Sequence, residues 1–306
     1  MAKRRKNRIL QRIEYVAFRA LVAAVRRASE ESLYRWGTRL GALMGNVLRK
    51  RDALAMRNLR ATFPEKSEAD LRVILDACWR HFGREALQTI QTQYLSLEEI
   101  EARCPLVNTH FVDEALARGN GMMLVSGHWG GWEIGGISAM SFLRRVLTVT
   151  RPLDNELMER DLQRLRENTG TEVVDRRGAA RALLKGLAEN AVVVILPDQA
   201  VQPKEGTLVP FLGRPAWTTP VPAKLALRAR TTIVFVFCIP DGLRHRLEFE
   251  EPIRVEELTE DERDPIALTK RLNEVISRRI LARPELWLWM HDRWKGTGEG
   301  ETANGQ

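Results

Sequence analysis

Met122-Met-Leu-Val-Ser-Gly-His-Trp-Gly-Gly-Trp-Glu-Ile-Gly-Gly136 is an apolar run of strand length that empties into glycines around one histidine and one acid. Two further runs end in the same manner. Val146-Leu-Thr-Val-Thr150 leads into Arg151-Pro152, and Val192-Val-Val-Ile-Leu196 leads into Pro197-Asp198. Short apolar runs without polar alternation read as strands covered on both faces. Strands are therefore expected at Met122–Ser126, Val146–Thr150, Ala191–Leu196 and Thr231–Ile239. Helical stretches at Glu156–Asn168, Gly178–Asn190 and Pro222–Arg230 lie between them. Ser67-Glu-Ala-Asp70 looks like the start of an earlier helix, and Asp264-Pro265 like the N-cap and first residue of a later one that stops before Pro284. Alternating strands and helices predict an α/β fold: a single domain with a central mixed, largely parallel sheet flanked by helices.

Composition is ordinary, but the charge is not evenly spread. The 306 residues include 44% hydrophobic and 29% charged side chains, ample for a large core. The net charge of +8 belongs to the front of the chain. Residues 1–60 carry 16 bases against four acids, a balance of +12, and the other 246 residues stand at −4. A basic head requires an anionic partner: nucleic acid, an acidic protein or a membrane surface. Here Lys3, Arg4, Arg5, Lys6, Arg8 and Arg12 precede a helical apolar run, Tyr15–Val25, interrupted by Arg19. The head has neither a zinc-finger pattern nor the interleaved aromatics of a nucleic-acid binder. A basic cluster beside a short apolar helix suits a chain lying on an anionic leaflet, at about 1 kcal/mol per basic side chain. A core helix with a solvated basic tail is the plainer alternative. No apolar run reaches the length of a membrane span, and no small-residue cleavage site marks a secretory signal. The expected organisation is a basic, membrane-associating helical region over 1–60, one domain over 61–295 and a disordered tail over 296–306. Cys78, Cys104 and Cys238 are too few and too scattered for a disulfide framework, and imply a reducing compartment.

Ligands of open parallel sheets bind beyond the carboxyl ends of the strands, so His128, Arg151 and Asp198 are expected at one edge. His128 and Glu133 would lie about 140° apart on a regular helix. A turn through Gly130 and Gly131 would return Glu133 towards the imidazole. A carboxylate on one ring nitrogen fixes the tautomer and raises the basicity of the other, which makes a general base. A structural histidine in a glycine-rich strand-to-helix turn fits the same residues, and composition does not separate the two. Other chemistries lack their residues. There is no G-x-S-x-G, no P-loop and no dinucleotide fingerprint after a strand. The five histidines are scattered without H-E-x-x-H, so neither a metal site nor a cofactor is expected.

Five blocks, in order, resemble the late acyltransferases of lipid A biosynthesis, the lauroyl/myristoyl transferase family within the lysophospholipid acyltransferase-like enzymes. His128-Trp-Gly-Gly-Trp-Glu133 matches their H-x-x-x-x-[DE] motif. Arg151-Pro-Leu-Asp-Asn155 resembles the arginine block, and Leu196-Pro-Asp-Gln199 the aspartate block. Gly206-Thr-Leu-Val-Pro-Phe-Leu-Gly213 with Thr218, and the closing Trp289-Met-His-Asp-Arg-Trp-Lys295, complete the set. The resemblance covers about Asn58 to Lys295. It implies an acyltransferase on the cytoplasmic face of a bacterial inner membrane, drawing on an acyl-carrier protein thioester (or acyl-CoA) and acylating a glycolipid hydroxyl. Members usually start with a clearer anchoring helix, which Arg19 interrupts here, so the basic head predicts peripheral or monotopic attachment. On that implication His128 is the base and Glu133 its partner, Arg151 binds acceptor phosphate or polarises the carbonyl, and Asp198 organises the site. Asp292 departs from the basic residue common at its position. Trp287, Trp289 and Trp294 suit an interfacial belt or a core, and Trp289 and Trp294 are expected to pack beside the site. Two rival activities are an acyl-CoA-dependent acyltransferase of lysophospholipids or other polar lipids, and a non-catalytic lipid carrier that would have no use for the His128/Glu133 pair.

Overall fold

The computed structural model describes residues 8–143, 145–149, 155–168, 171–174 and 178–297. Four helices come first: α1 (Arg8–Arg27), α2 (Glu30–Val47), α3 (Arg49–Thr62) and α4 (Glu68–Thr92). Then follow α5 (Leu97–Arg103), β1 (Leu106–Val107), α6 (His110–Ala117), β2 (Met122–Val125), α7 (Trp132–Phe142) and β3 (Val146–Val149). The middle continues with α8 (Glu156–Asn168), β4 (Thr171–Val174), α9 (Ala179–Ala188) and β5 (Val192–Ile195). A hairpin, β6 (Thr207–Phe211) and β7 (Arg214–Thr218), precedes α10 (Val221–Ala229), β8 (Thr232–Asp241), β9 (Arg244–Ile253) and α11 (Pro265–Ala282).

Among the described residues the principal sheet has seven strands in the order β1-β9-β8-β2-β5-β3-β4. Strands β8, β2, β5, β3 and β4 run parallel, while β9 is antiparallel to β8 and carries β1 alongside it. The sheet is mixed and largely parallel, as the alternating pattern predicts. Alternate residues of each central strand feed opposite cores. Met123, Val125, Val193 and Phe235 face a core completed by α3, α4, α9, α10 and α11. Met122, Leu124, Val192 and Val234 face one completed by α6 and α7. Burial on both faces is why these strands lack polar alternation.

The helix boundaries follow from their caps. Asp264 accepts from the N–H groups of Ile266 and Ala267, both at 2.9 Å, with Pro265 in the first turn of α11. Ser67 accepts from Asp70 N at 3.2 Å at the start of α4. The expected boundary at residue 60 falls inside α3, whose Ala55, Met56 and Leu59 belong to the main core. Helix α2 lies so close to α4 that a Cβ on Gly41 would sit 2.0 Å from the Trp79 carbonyl oxygen. Among the described residues no helix is long and apolar enough to cross a membrane. Most of the expected tail, from residue 298 onward, lies outside the described residues.

Candidate active site

Pairing brings the two strand-end residues together. In the β2–β5 register Val125 lies opposite Ile195. His128 and Asp198 are each three residues further on, so the two strands deliver them side by side. His128 Nδ1 lies 2.8 Å from Asp198 Oδ1, and the His128 backbone N–H donates to Oδ2 at 2.7 Å. The indole of Trp287 also donates to Oδ2, at 2.8 Å. Asp198 is 1% exposed and the His128 side chain 22%, so the carboxylate is sealed in while the ring still reaches the surface of the site.

Burial pushes the Asp198 carboxyl up, but the facing imidazole and the three donors outweigh it and hold the group at about 2. For His128, burial disfavours the cation. The Asp198 charge and hydrogen bond, with the Glu133 charge added, prevail and place its pKa above the ordinary histidine value. Asp198 is therefore a carboxylate, and Nδ1–H is the donor to it. In the neutral ring this leaves Nε2 with its lone pair, which receives the Gln199 side-chain N–H at 3.1 Å.

Glu133 stands elsewhere than the motif suggests. It lies exposed in the first turn of α7. Among the described residues the ring partners of His128 are Asp198 and Gln199, and Glu133 acts on the ring through its charge. The turn through Gly130 and Gly131 exists, but the helix begins at once, and it points the Glu133 side chain outward. The partner expected from Glu133 thus comes from the neighbouring strand. Arg151 lies outside the described residues, although β3 runs parallel to β5 and ends at the same sheet edge.

The closing segment supports this site from below. Trp129 and Trp287 form an antiparallel bridge. Leu288 N–H donates to the His128 carbonyl at 3.1 Å, and Gly130 N–H to that of Leu286 at 2.9 Å. Trp287, Trp289 and Trp294 are buried, the first two edge to face with centroids 4.7 Å apart, so these rings belong to the core. His291 Nε2 accepts from Ala200 N at 3.1 Å and anchors the loop that carries Asp198 and Gln199. Burial lowers the His291 pKa, consistent with that unprotonated nitrogen. Arg293 is fully buried over the Phe211 ring, bonded to the Trp217 carbonyl and the Thr218 hydroxyl; burial brings its pKa down to about 10.

A second histidine–glutamate cluster, which the sequence patterns did not single out, backs the same turn. His81 Nε2 donates to the Gly130 carbonyl at 3.2 Å, and Glu85 lies one helical turn further along α4. Glu85 Oε1 accepts from His245 Nε2 at 3.0 Å. Burial penalises both charges, yet each partner sustains the other, with Glu85 shifted down and His245 shifted up. Gly130 has φ +60, and a Cβ on Gly131 would sit 2.7 Å from Glu85 Oε2. Their signal in the sequence was the i, i+4 spacing of His81 and Glu85, which on its own is common.

An apolar cavity lies between α7 and the sheet, and Trp132 in its wall stands 5.4 Å, centroid to centroid, from the His128 ring. Ser126 and Trp132 line it near His128, and Leu124, Ala139, Met140, Leu143 and Val236 line it farther in. The site thus sets a histidine held by a buried carboxylate, its Nε2 facing the Gln199 amide, near a pocket suited to hydrocarbon.

The model of the bacterial lipid A biosynthesis acyltransferase family matches residues 1–296. The chain belongs to this family. The enzyme is similar to the lipid A biosynthesis palmitoleoyltransferase of Escherichia coli (strain K12), 28% identical over 274 residues, 87% of this chain and 86% of that protein. With the lipid A biosynthesis lauroyltransferase of the same strain it shares 25% identity over 273 residues, 88% and 87% of the two chains. A phosphatidylinositol mannoside acyltransferase of Mycolicibacterium smegmatis is 24% identical over 286 residues, 92% of this chain and 90% of that one. Family membership makes the chain an acyltransferase of lipid A or glycolipid biosynthesis and sets aside the reading as a non-catalytic carrier.

Proposed function

We propose that this acyltransferase moves a fatty acyl chain from an acyl-carrier protein thioester to a hydroxyl of a lipid A precursor or related glycolipid, with His128 as the base. The observation that carries the reading is the Asp198–His128 pair beside the apolar cavity. A free thiol has a pKa near 8.5, whereas an alcohol is closer to water's roughly 15.7. The leaving thiolate therefore needs little help, and the acceptor hydroxyl needs a base. His128 Nε2 takes the hydroxyl proton while the oxygen attacks the thioester carbon. The tetrahedral species then expels the thiolate, which takes the proton from Nε2. No enzyme nucleophile takes part, and Cys78, Cys104 and Cys238 are all buried.

In this scheme Asp198 holds the tautomer and stabilises the imidazolium. Glu133 adds negative charge at the site mouth, and Arg151 receives acceptor phosphate or polarises the carbonyl. The donor's acyl chain enters the cavity beneath α7. Attachment is peripheral or monotopic at the cytoplasmic face of the bacterial inner membrane, through the basic head and α1. Along that helix Ile9, Ile13 and Val16 are exposed at helical spacing, with Leu43 and Val47 exposed on α2.

The test is single-turnover transfer from a radiolabelled acyl thioester, quenched early and resolved on a denaturing gel. Label kept on the protein at a competent rate would end the direct-transfer mechanism. His128→Ala is expected to lose roughly 10²–10⁴-fold in turnover. The match to phosphatidylinositol mannoside acyltransferases keeps a second glycolipid acceptor in view. Mass spectrometry of the lipids of a deletion strain separates the two acceptors, and parallel assays with acyl-carrier protein and CoA thioesters identify the donor.

A further inference from the structure

Gln199 occupies the position that the acceptor must take. Its amide nitrogen lies 3.1 Å from His128 Nε2, and a hydroxyl about to give up its proton needs its oxygen about 2.6–3.2 Å from that same nitrogen. One lone pair accepts one donor. Acceptor binding therefore requires the Gln199 amide to leave.

The surrounding loop limits how it can leave. Asp198, on one side, accepts from the His128 ring, the His128 backbone and the Trp287 indole. Ala200, on the other, is tied through its N–H to His291. The residues on both sides of Gln199 are held, Asp198 by its carboxylate and Ala200 by its N–H, while the Gln199 side chain is half-buried rather than enclosed. The amide yields by rotating about its own side-chain bonds, and it stays within a few ångströms of the attacked carbonyl. In a reactive pose the attacked carbon lies about 3–3.5 Å from the hydroxyl oxygen, and its carbonyl oxygen lies one bond further.

We propose that Gln199 is a catalytic residue whose side-chain N–H passes from the lone pair of the base to the thioester carbonyl oxygen as the acceptor hydroxyl takes its place at Nε2. The proposal rests on the reading of His128 as the base. Attack breaks the hydroxyl O–H bond, delivers the proton to Nε2 and forms the new C–O bond. The carbonyl π electrons move onto the oxygen, which accepts the Gln199 hydrogen bond as its negative charge develops. Collapse restores C=O and breaks C–S, and the thiolate leaves with the proton from Nε2. Gln199 supplies a donor aimed at charge that exists only in the transition state, where such donors contribute most.

The experiment compares wild type, Gln199→Ala, Gln199→Glu and His128→Ala in transfer from an acyl-carrier protein thioester to a lipid A precursor, with kcat and KM measured across pH. Thermal midpoints close to that of wild type show that the variants are folded. Gln199→Ala is expected to lose about 10²-fold in kcat with KM changed by less than roughly threefold. A donor on Nε2 stabilises the neutral ring, so its removal should also move the acidic limb of kcat/KM to higher pH. Gln199→Glu, which places a carboxylate against Nε2, should move that limb further and lower kcat again. A role confined to packing would leave the midpoint where it was. If His128→Ala is inactive while Gln199→Ala keeps kcat within about threefold, or keeps its pH midpoint, Gln199 is not the donor. Full turnover by His128→Ala overturns the base reading, and this proposal with it.

Discussion

At the scale of single residues, the Asp198–His128 pair makes the site sensitive to pH in two separable ways. Turnover on the proposed mechanism needs the neutral ring, and the pKa of His128 stands above 6.5. kcat/KM should therefore rise with pH through a midpoint above 6.5, read from initial rates. Asp198→Asn leaves the shape but removes the charge, and the new amide can present an N–H where the ring also has one. We expect a loss of roughly 10²–10⁴-fold in kcat, as for other carboxylate partners of a catalytic histidine. Stability follows a different course. Asp198 titrates near 2 in the folded chain, below its ordinary value of 3.8. Its contribution is present above that ordinary value and is lost as pH falls towards 2. His128, raised above 6.5, contributes below 6.5 and loses that contribution as pH rises through its folded value. The difference in thermal midpoint between wild type and Asp198→Asn should accordingly shrink as pH is lowered from about 4 to 2. An unchanged difference over that window would mean that the charge of Asp198 does little for folding.

At the scale of elements, helix α4 acts as the backing of the turn that carries His128. His81 holds the Gly130 carbonyl, and Phe82 packs on Trp132 with centroids 5.5 Å apart. Trp132 in turn lies 5.4 Å from the His128 ring. Gly131→Ala would drive a methyl group into Glu85 and His245. We expect a loss of about 1–3 kcal/mol in stability, as for other overpacked interiors, together with a lower kcat, measured by denaturant unfolding and steady-state rates. Asp264→Ala provides the contrast. Removing that N-cap should cost about 0.5–2 kcal/mol and leave kcat alone, because Ile276, the α11 side chain beside Gly127, lies about three turns beyond the cap. A fall in kcat matching that of Gly131→Ala would show that the turn responds to stability in general and not to α4.

At the scale of the whole molecule, the N-terminal helices are part of the body and cannot be removed as a tail. Leu33, Ala55 and Leu59 are all 0% exposed, so deletion of residues 1–60 would open the core and test folding instead of membrane binding. The polar side of α1 is also docked: Tyr15 donates to Asp161 at 2.9 Å, and Asn155 donates to the Gln11 carbonyl at 3.0 Å, both on or beside α8. The opposite side carries Ile13 and Val16, 61% and 66% exposed. The paired change Ile13→Asp and Val16→Asp should lower sedimentation with anionic vesicles several-fold without shifting the thermal midpoint. Wild-type binding that survives 1 M salt, where the Debye length is about 3 Å, belongs to this apolar stripe. Equal sedimentation of the variant would assign attachment to the basic head alone.

The order of parallel strands and helices was already set by the apolar runs, because a strand buried on both faces and a helix buried on one leave different spacings in the chain. The bounds expected for Glu156–Asn168 agree with those of α8, and the N-cap of α11 could be read from Asp264-Pro265. The strand β9 could not, since its buried His245, Leu247 and Phe249 alternate with charges and resemble a solvated segment. Sequence also placed His128 and Asp198 at strand ends. Which carboxylate meets the imidazole depended on the register of β2 against β5, a pairing between segments 70 residues apart. Glu133 is near in the chain, but α7 starts before it can turn back. Local spacing constrains local elements; the partner of the histidine was decided by hydrogen bonds between strands, which only the assembled sheet makes.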